Sequence, residues 1–144
     1  MNVITPVEPY ASDPFKLLAL CIWREARGES YEAKLGVAWT IKNRCSQAPK
    51  EGFKPDIAGN ILKPWAFSSF MEGDPNSVKY PAETDPSWQF SMTAAIDPAA
   101  DPTNKAVFYY SLPLTAPPKA WGEVGKHIEH SATIGGLEFY RLIS

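Results

Sequence analysis

Hydrophobic residues recur every three to four positions from residue 13 onward, a spacing that predicts an amphipathic helix near the start of the chain. Asp13 and Pro14 supply an N-cap and a proline at the first helical position, and Gly28 is the expected stop. A second helix is predicted over about Tyr31–Arg44, because Ser30 is a good N-cap. The two helices are therefore expected to be joined by a short turn.

The rest of the chain alternates between turn-rich segments and four shorter regular elements. Residues 71–87 are rich in glycine, proline and aspartate, which indicates a long surface loop that walls a groove. The aromatic segment 106–110 is typical of a short strand, and the glycines within 133–141 favour a closing hairpin. A helical turn is predicted near 57–62 and a helix over Pro86–Ile96, with a buried face of Trp88, Phe90, Met92, Ala95 and Ile96.

Residues 1–12 are interpreted as a lead-in and residues 13–144 as a single domain, so the pattern predicts a mostly α (α+β) fold. The chain has 144 residues, 44% hydrophobic and 21% charged, which is typical of a globular protein. A net charge of −2 gives no electrostatic reason to bind nucleic acid or an anionic membrane.

Two absences suggest where the chain is made. The sequence shows no apolar stretch of about 18 residues and no signal peptide, so we expect no membrane anchor and synthesis in the cytoplasm. Cys21 and Cys45 are expected to be free thiols in a reducing compartment, although packing of the two helices leaves a bond between them open.

Two glutamates lie at the facing ends of the first two helices, where their environments differ. Glu25 follows apolar residues in the last turn of the first helix, so the negative end of the helix dipole and any burial favour its protonated form, whereas Arg24 and Arg27 favour its ionised form if they point at it. Glu29 precedes the N-cap of the second helix and is expected to stay ionised. Acids in different protonation states divide the acid and base roles in glycosidases. Two surface charges paired with Arg24 and Arg27 explain the spacing equally well.

Two other functional classes fit parts of the sequence. Glu123, His127 and His130 fall within one possible helix, which raises the hypothesis of a zinc amidase. Their spacing differs from His-Glu-x-x-His, however, and the chain has only two histidines. Five Trp, six Tyr and seven Phe would also suit a carbohydrate-binding module that holds a glycan without cleaving it. Such a module does not need an acid at a helix end.

Several short motifs, taken in their order along the chain, resemble the SleB-like cell wall hydrolases, a family that includes spore-cortex lytic enzymes and small phage endolysins. The resemblance covers roughly residues 15–142. One departure is Asn104-Lys105, which replaces glycines that often follow Asp-Pro-Thr in the family and alters the loop beside the groove. The motifs are Glu25-Ala26-Arg27-Gly28-Glu29, Gly36 to Arg44, Phe67-Ser68, Asp101-Pro102-Thr103, Ala106 to Tyr110, Thr133-Ile134-Gly135 and Phe139-Tyr140-Arg141.

The resemblance implies a lysozyme-like single domain, with helices around a glycan groove and a small hairpin. It implies cleavage of peptidoglycan strands between N-acetylmuramic acid and N-acetylglucosamine, with Glu25 as the catalytic acid. Glu29 is the candidate for a second catalytic group. The candidates for substrate binding are Asn43, Ser68, Tyr109 and Tyr110.

The expected mechanism begins with protonation of the glycosidic oxygen by Glu25 and bond breaking with oxocarbenium character. If no second carboxylate stands near the anomeric carbon, the C6 hydroxyl of muramic acid closes on it, and the enzyme is a lytic transglycosylase. If Glu29 activates water, the result is hydrolysis. Neither path needs a metal or a cofactor. The expected partner is peptidoglycan, and the predicted protein is a monomeric phage endolysin made in the host cytoplasm that acts on the bacterial wall.

Overall fold

The computed structural model describes residues 2–143, which form a mixed and mainly helical fold with one small sheet. The helices are α1 (Pro14–Ala26), α2 (Tyr31–Gln47), α3 (Ile57–Ile61) and α4 (Pro86–Ile96). The strands are β1 (Ala106–Ser111), β2 (Ile128–Ile134) and β3 (Leu137–Leu142). Short 3-10 segments occupy Lys50–Gly52, Ser68–Phe70, Pro75–Val78 and Lys119–Lys126. The predicted α+β class is confirmed.

Helix α1 lies at the centre of the helical layer, in contact with α2, α3 and α4. Asp13 caps it by accepting hydrogen bonds from the backbone N–H groups of Phe15 (3.0 Å) and Lys16 (3.3 Å). Every residue from Leu17 to Ala26 is buried except Glu25, which is half-buried. Within this stretch of α1, Glu25 is therefore the one residue that is partly open to solvent.

The three strands form an antiparallel sheet in the order β1-β3-β2. Gly135 and Gly136 make the tight turn between β2 and β3, as the sequence predicts. Gly135 has a φ of +57°, in the left-handed region that glycine adopts without strain. Leu137 and Phe139 of β3 are fully buried, and β1 packs against α2. The sheet is therefore joined to the helical layer through one face.

Two features of the helices differ from the prediction. Helix α2 extends to Gln47, three residues beyond the predicted end. On α4, Trp88 and Ala95 are buried as expected, but Phe90 and Ile96 are 54% and 65% exposed. At about 100° per residue, positions 88, 91 and 95 face the core while positions 90 and 96 point away from it. The hydrophobicity of single residues therefore does not identify the buried face of α4 correctly.

The helix that would have carried Glu123, His127 and His130 together does not form. Glu123 lies in the 3-10 segment Lys119–Lys126, which is interrupted at Gly122 with a φ of +56°. His127 follows that segment and His130 lies on β2. The three side chains therefore share no helix face.

The N-terminal residues drape over the helical layer. The Ile4 amide donates a 2.7 Å hydrogen bond to the carbonyl of Phe70. The ring of Tyr10 lies 5.2 Å from that of Tyr80 and 5.8 Å from that of Trp88. Residues 2–12 thus pack on the domain that follows them.

Two further expectations concern the thiols of the two cysteines and the presence of a membrane-spanning helix. Cys21 is buried and Cys45 is half-buried, and both are free thiols. Between residues 2 and 143, none of the helices combines the length and the apolar character needed to cross a lipid bilayer.

Candidate active site

The turn between α1 and α2 holds the end of α1 in place. Lys34, which is 3% exposed, donates to the backbone carbonyls of Ala26 (2.6 Å), Arg27 (3.0 Å) and Glu29 (2.9 Å). A helix leaves its last carbonyls without internal partners, and a cation is favoured at this negative end. Desolvation lowers the pKa of Lys34, while the charge of Glu29 acts in the opposite direction. Glu25, one residue before the helix end, is therefore carried on a firmly capped turn.

Tyr109 of β1 holds the carboxyl group of Glu25. Its hydroxyl donates a 2.6 Å hydrogen bond to Oε1 of Glu25, and its ring packs 5.7 Å from that of Phe139. Desolvation, followed by the negative charge of Glu25, raises the pKa of Tyr109 well above its ordinary value. Tyr109 therefore stays protonated and acts as a donor. Oε2 of Glu25 has no hydrogen bond to any residue between 2 and 143, so one oxygen is fixed and the other is available to a substrate.

Glu25 and Tyr109 line a groove of about 290 Å³. Rings with broad apolar faces, combined with a few fixed polar groups, are typical of sites that bind carbohydrates and other small ligands. The aromatic lining residues are Phe53, Trp65, Phe67, Phe108, Tyr109 and Trp121. The charged ones are Glu25, Arg44, Glu51 and Lys63, and the remainder are Asn60, Pro64, Ala66 and Ser68.

Arg44 of α2 places a buried cation in the groove wall. It is 6% exposed, and its Nε donates a 2.7 Å hydrogen bond to the carbonyl of Val107. Its guanidinium carbon lies 4.7 Å from the ring centroid of Phe108, 5.0 Å from that of Phe67 and 5.5 Å from that of Phe53. Desolvation lowers the pKa of Arg44 to about 10, so the side chain keeps its charge at neutral pH.

Three of the six predicted site residues line the groove, namely Glu25, Ser68 and Tyr109. Glu29 lies outside it. Its Oε1 accepts a 2.9 Å hydrogen bond from the backbone N–H of Gly136, at the turn between β2 and β3. A side-chain carbon added at Gly136 would come within 2.8 Å of that carboxylate, so glycine permits the close approach. The structure thus shows that Glu29 joins the α1–α2 turn to the hairpin.

Asn43 and Tyr110 also lie outside the lining of the groove. Asn43 donates to Oδ2 of Asp101 and to the carbonyl of Ala106, both at 2.9 Å, and so connects α2 to the segment before β1. Tyr110 is 7% exposed and stacks on Tyr140 with ring centroids 5.8 Å apart. Contacts within the domain account for both positions.

Sequence reasoning missed Arg44, Glu51, Trp65 and Trp121 as lining residues. Trp65 is 68% exposed with a φ of +68°, and Glu51 has a φ of +51°. Left-handed conformations are uncommon outside glycine and cluster at functional sites. The sequence did contain a signal for Trp65, namely a tryptophan directly after Pro64 in a turn-rich segment. Exposed aromatic side chains on loops often take part in ligand binding. Trp121 had no comparable signal.

The histidines take part in two separate pairs. Nδ1 of His127 lies 3.0 Å from Oε1 of Glu51, and Nε2 of His130 lies 3.5 Å from Oε1 of Glu138. The part of the chain that the structure describes contains no group of three or more His, Cys, Asp or Glu side chains placed to hold a metal ion. The two imidazoles therefore do not converge on one site.

The groove thus combines a positioned carboxyl group with aromatic rings, and carboxyl groups are the usual acids and bases of enzymes that cleave glycosidic bonds. The chain belongs to the Cell Wall Hydrolase family, whose sequence model matches residues 28–140. That match begins three residues after Glu25.

Known relatives of the chain are spore cortex-lytic enzymes. The chain is 30% identical over 126 residues to the one from Bacillus subtilis and 32% identical over 129 residues to the one from Bacillus cereus. Each alignment covers 83% of this chain, but only 38% and 44% of the respective relative. The chain thus spans about two fifths of the length of these relatives.

Two solved structures are similar to the chain along almost its whole length. The crystal structure of the catalytic domain of the Bacillus cereus SleB protein is similar with a TM-score of 0.63 and 25% identity, over 94% of both chains. The catalytic domain of the germination-specific lytic transglycosylase SleB from Bacillus anthracis has a TM-score of 0.67, over 93% of this chain and 98% of that one. At 24% identity, the second comparison concerns the fold alone.

Proposed function

We propose that this domain cleaves the β-1,4 bond between N-acetylmuramic acid and N-acetylglucosamine in peptidoglycan, with Glu25 as the general acid. The observation that carries the proposal is the 2.6 Å hydrogen bond from Tyr109 to Glu25 within the groove. It orients a half-buried carboxyl group while leaving Oε2 for the substrate. Membership in the cell wall hydrolase family supports the choice of polymer.

The first chemical step is proton transfer from Glu25 to the glycosidic oxygen. The bond from C1 of muramic acid to that oxygen breaks, the N-acetylglucosamine hydroxyl departs with the proton, and positive charge develops at C1. The Glu25 carboxylate that remains accepts the hydrogen bond of Tyr109, which stabilises its new negative charge. Tyr109 thus stabilises the ionised form of Glu25, which the proton transfer produces.

The second step is attack of the C6 hydroxyl on C1, with its proton returned to Glu25. The new C6–O–C1 bond gives a 1,6-anhydro sugar and restores the acid. An intramolecular hydroxyl is already close to C1, which gives it an entropic advantage over a recruited water. Glu29 accepts a hydrogen bond from Gly136 at the hairpin, outside the groove, instead of standing where it could activate a water at C1. This further favours the transglycosylase reaction over hydrolysis.

Hydrolysis is the second candidate, because Glu51 also lines the groove. A second carboxylate near C1 would activate water and yield a reducing end. Glu51 is paired with His127 at 3.0 Å, and this pairing reduces its availability as a base. If hydrolysis occurs, Glu51 is the first residue to substitute.

Digestion of purified sacculi followed by mass spectrometry tests the proposal. We expect muropeptides with 1,6-anhydro ends, one water lighter than those with reducing ends. Products that carry only reducing ends would indicate a muramidase instead of a transglycosylase. Freed peptide stems with intact glycan would indicate an amidase, and binding without any release would indicate a carbohydrate-binding module. Either of these last two results would overturn the proposal.

We further propose that the chain is a monomeric phage endolysin, made in the host cytoplasm, that acts on the wall after the inner membrane opens. Its resemblance to a family that includes phage endolysins supports this assignment. Expression in the cytoplasm of a Gram-negative host should leave cells intact until the inner membrane is permeabilised. Lysis without permeabilisation would contradict the delivery route, and a dimer in light scattering would contradict the monomer.

A further inference from the structure

Trp65 differs from the other aromatic residues that line the groove, because the domain gives its ring no stacking partner. The other rings each pack on a ring or a cation of the domain, and they belong to Phe53, Phe67, Phe108, Tyr109 and Trp121. Within residues 2–143 the indole of Trp65 makes no such contact, and the residue is 68% exposed. Its apolar surface is therefore open to a ligand.

The backbone holds Trp65 in a defined position in spite of this exposure. Its φ of +68° is a left-handed conformation that is strained for a residue with a side chain, and such strain often accompanies function. Pro64 restricts the chain just before it, and the amide of Trp65 donates a 3.4 Å hydrogen bond to Sδ of Met71. An aromatic side chain on a restrained backbone loses little conformational freedom when a ligand binds.

A second cavity of about 350 Å³ adjoins the groove at this tryptophan. Trp65 and Ser68 line both spaces, whereas Glu25 lines only the groove. The carboxylates of Glu72 and Asp74 line the second cavity and offer acceptors that suit the hydroxyl groups of a sugar. Its other lining residues are Met71 and Gly73. The two spaces together therefore provide room for a strand longer than one disaccharide.

We propose that the indole of Trp65 stacks on a sugar ring of the peptidoglycan strand beside the disaccharide that is cleaved, where the strand passes from the groove into the second cavity. This inference rests on the proposed glycan substrate. The C–H face of a pyranose ring is apolar, so stacking removes apolar surface of both the sugar and the indole from water. The ring hydroxyls point outward from that face, towards acceptors on the cavity wall.

Binding without cleavage tests the inference. The protein is the full chain with Glu25→Gln, and the ligands are peptide-free fragments of the glycan strand that are long enough to span both cavities. Adding Trp65→Ala should weaken binding about tenfold, because the stacked area is lost. Trp65→Phe keeps a smaller flat ring and should give an intermediate loss.

Phe90→Ala is the matched control, because Phe90 is 54% exposed and lines neither cavity. It should leave the affinity unchanged. Native affinity in the Trp65→Ala protein, or an equal loss in both alanine variants, would overturn the inference. So would an effect of Trp65→Ala that appears only with fragments carrying peptide stems, since the indole would then contact the peptide and not a sugar.

A second measurement keeps Trp65 intact and does not depend on how its variants fold. Hydroxyl radicals oxidise exposed aromatic side chains, and mass spectrometry locates the products. Saturation of the Glu25→Gln protein with the peptide-free fragment should lower the oxidation rate of Trp65 about twofold or more, because one of its two faces is covered, and leave that of Phe90 unchanged. Unchanged oxidation of Trp65 would contradict the stacking. Failure of the native chain to cleave sacculi, with this protection intact, would refute the proposed function but not the role of Trp65.

Discussion

At the scale of single residues, the proposed mechanism depends on how the carboxyl group of Glu25 is positioned. Glu25 is the half-buried exception in the buried stretch Leu17–Ala26 of α1, and the hydroxyl of Tyr109 donates to one of its two oxygens. The raised pKa of Tyr109 keeps the phenol protonated through the neutral range, so its donation does not vary with pH there. The pH dependence of activity near neutrality should therefore come from other groups.

Tyr109→Phe should retain the fold and reduce kcat on sacculi about tenfold or more, because the hydrogen bond to the Glu25 carboxylate is lost. Initial rates of turbidity loss, combined with circular dichroism, measure both effects. Tyr110→Phe is the matched control, because its ring packs on Tyr140 outside the groove. Equal rate losses in the two variants would argue against a specific role for Tyr109.

At the scale of elements, the α1–α2 turn is held from two sides. Lys34 binds three of its carbonyls, and Glu29 binds the backbone of the β2–β3 turn. The end of α1 that carries Glu25 is therefore connected, through the α1–α2 turn, to the sheet that carries Tyr109. This connection explains why residues far apart in the sequence meet with a defined geometry.

Glu29 should affect stability more than chemistry. We expect Glu29→Gln to keep most of the activity, because the amide oxygen still accepts from Gly136. Glu29→Ala, which loses that acceptor, should lower the free energy of unfolding by about 1–2 kcal/mol. Thermal unfolding and sacculus digestion measure the two effects. A loss of activity in folded Glu29→Gln as large as in Glu25→Gln would instead make Glu29 a catalytic partner.

Local signals predicted the helices well and the groove only in part. The Asp13-Pro14 start and the Ser30 cap set the boundaries of α1 and α2, because capping depends on neighbouring residues. The groove collects Arg44, Trp65 and Trp121 from three separate segments. Their convergence depends on tertiary packing, which has no local signature. The exposed Phe90 on α4 shows the same limit, because an apolar residue does not reveal which face is covered.

At the scale of the whole molecule, each histidine of the described residues pairs with one glutamate, and no three His, Cys, Asp or Glu side chains there are placed to hold a metal ion. The proposed acid catalysis, with the C6 hydroxyl of muramic acid as nucleophile, requires only the protein and the glycan strand. We therefore expect prolonged treatment with EDTA to leave the rate of sacculus digestion unchanged. Loss of activity that zinc restores would revive the amidase hypothesis.

The most direct test of the account is the activity of Glu25→Gln. Gln has nearly the same shape as Glu, so the variant should fold, bind sacculi as the native chain does, and digest them at least about 10²-fold more slowly. Pull-down on sacculi, circular dichroism and release of muropeptides give the three readouts on one preparation. A well-folded Glu25→Gln protein that digests sacculi at a rate close to that of the native chain would contradict the assignment of Glu25 as the general acid.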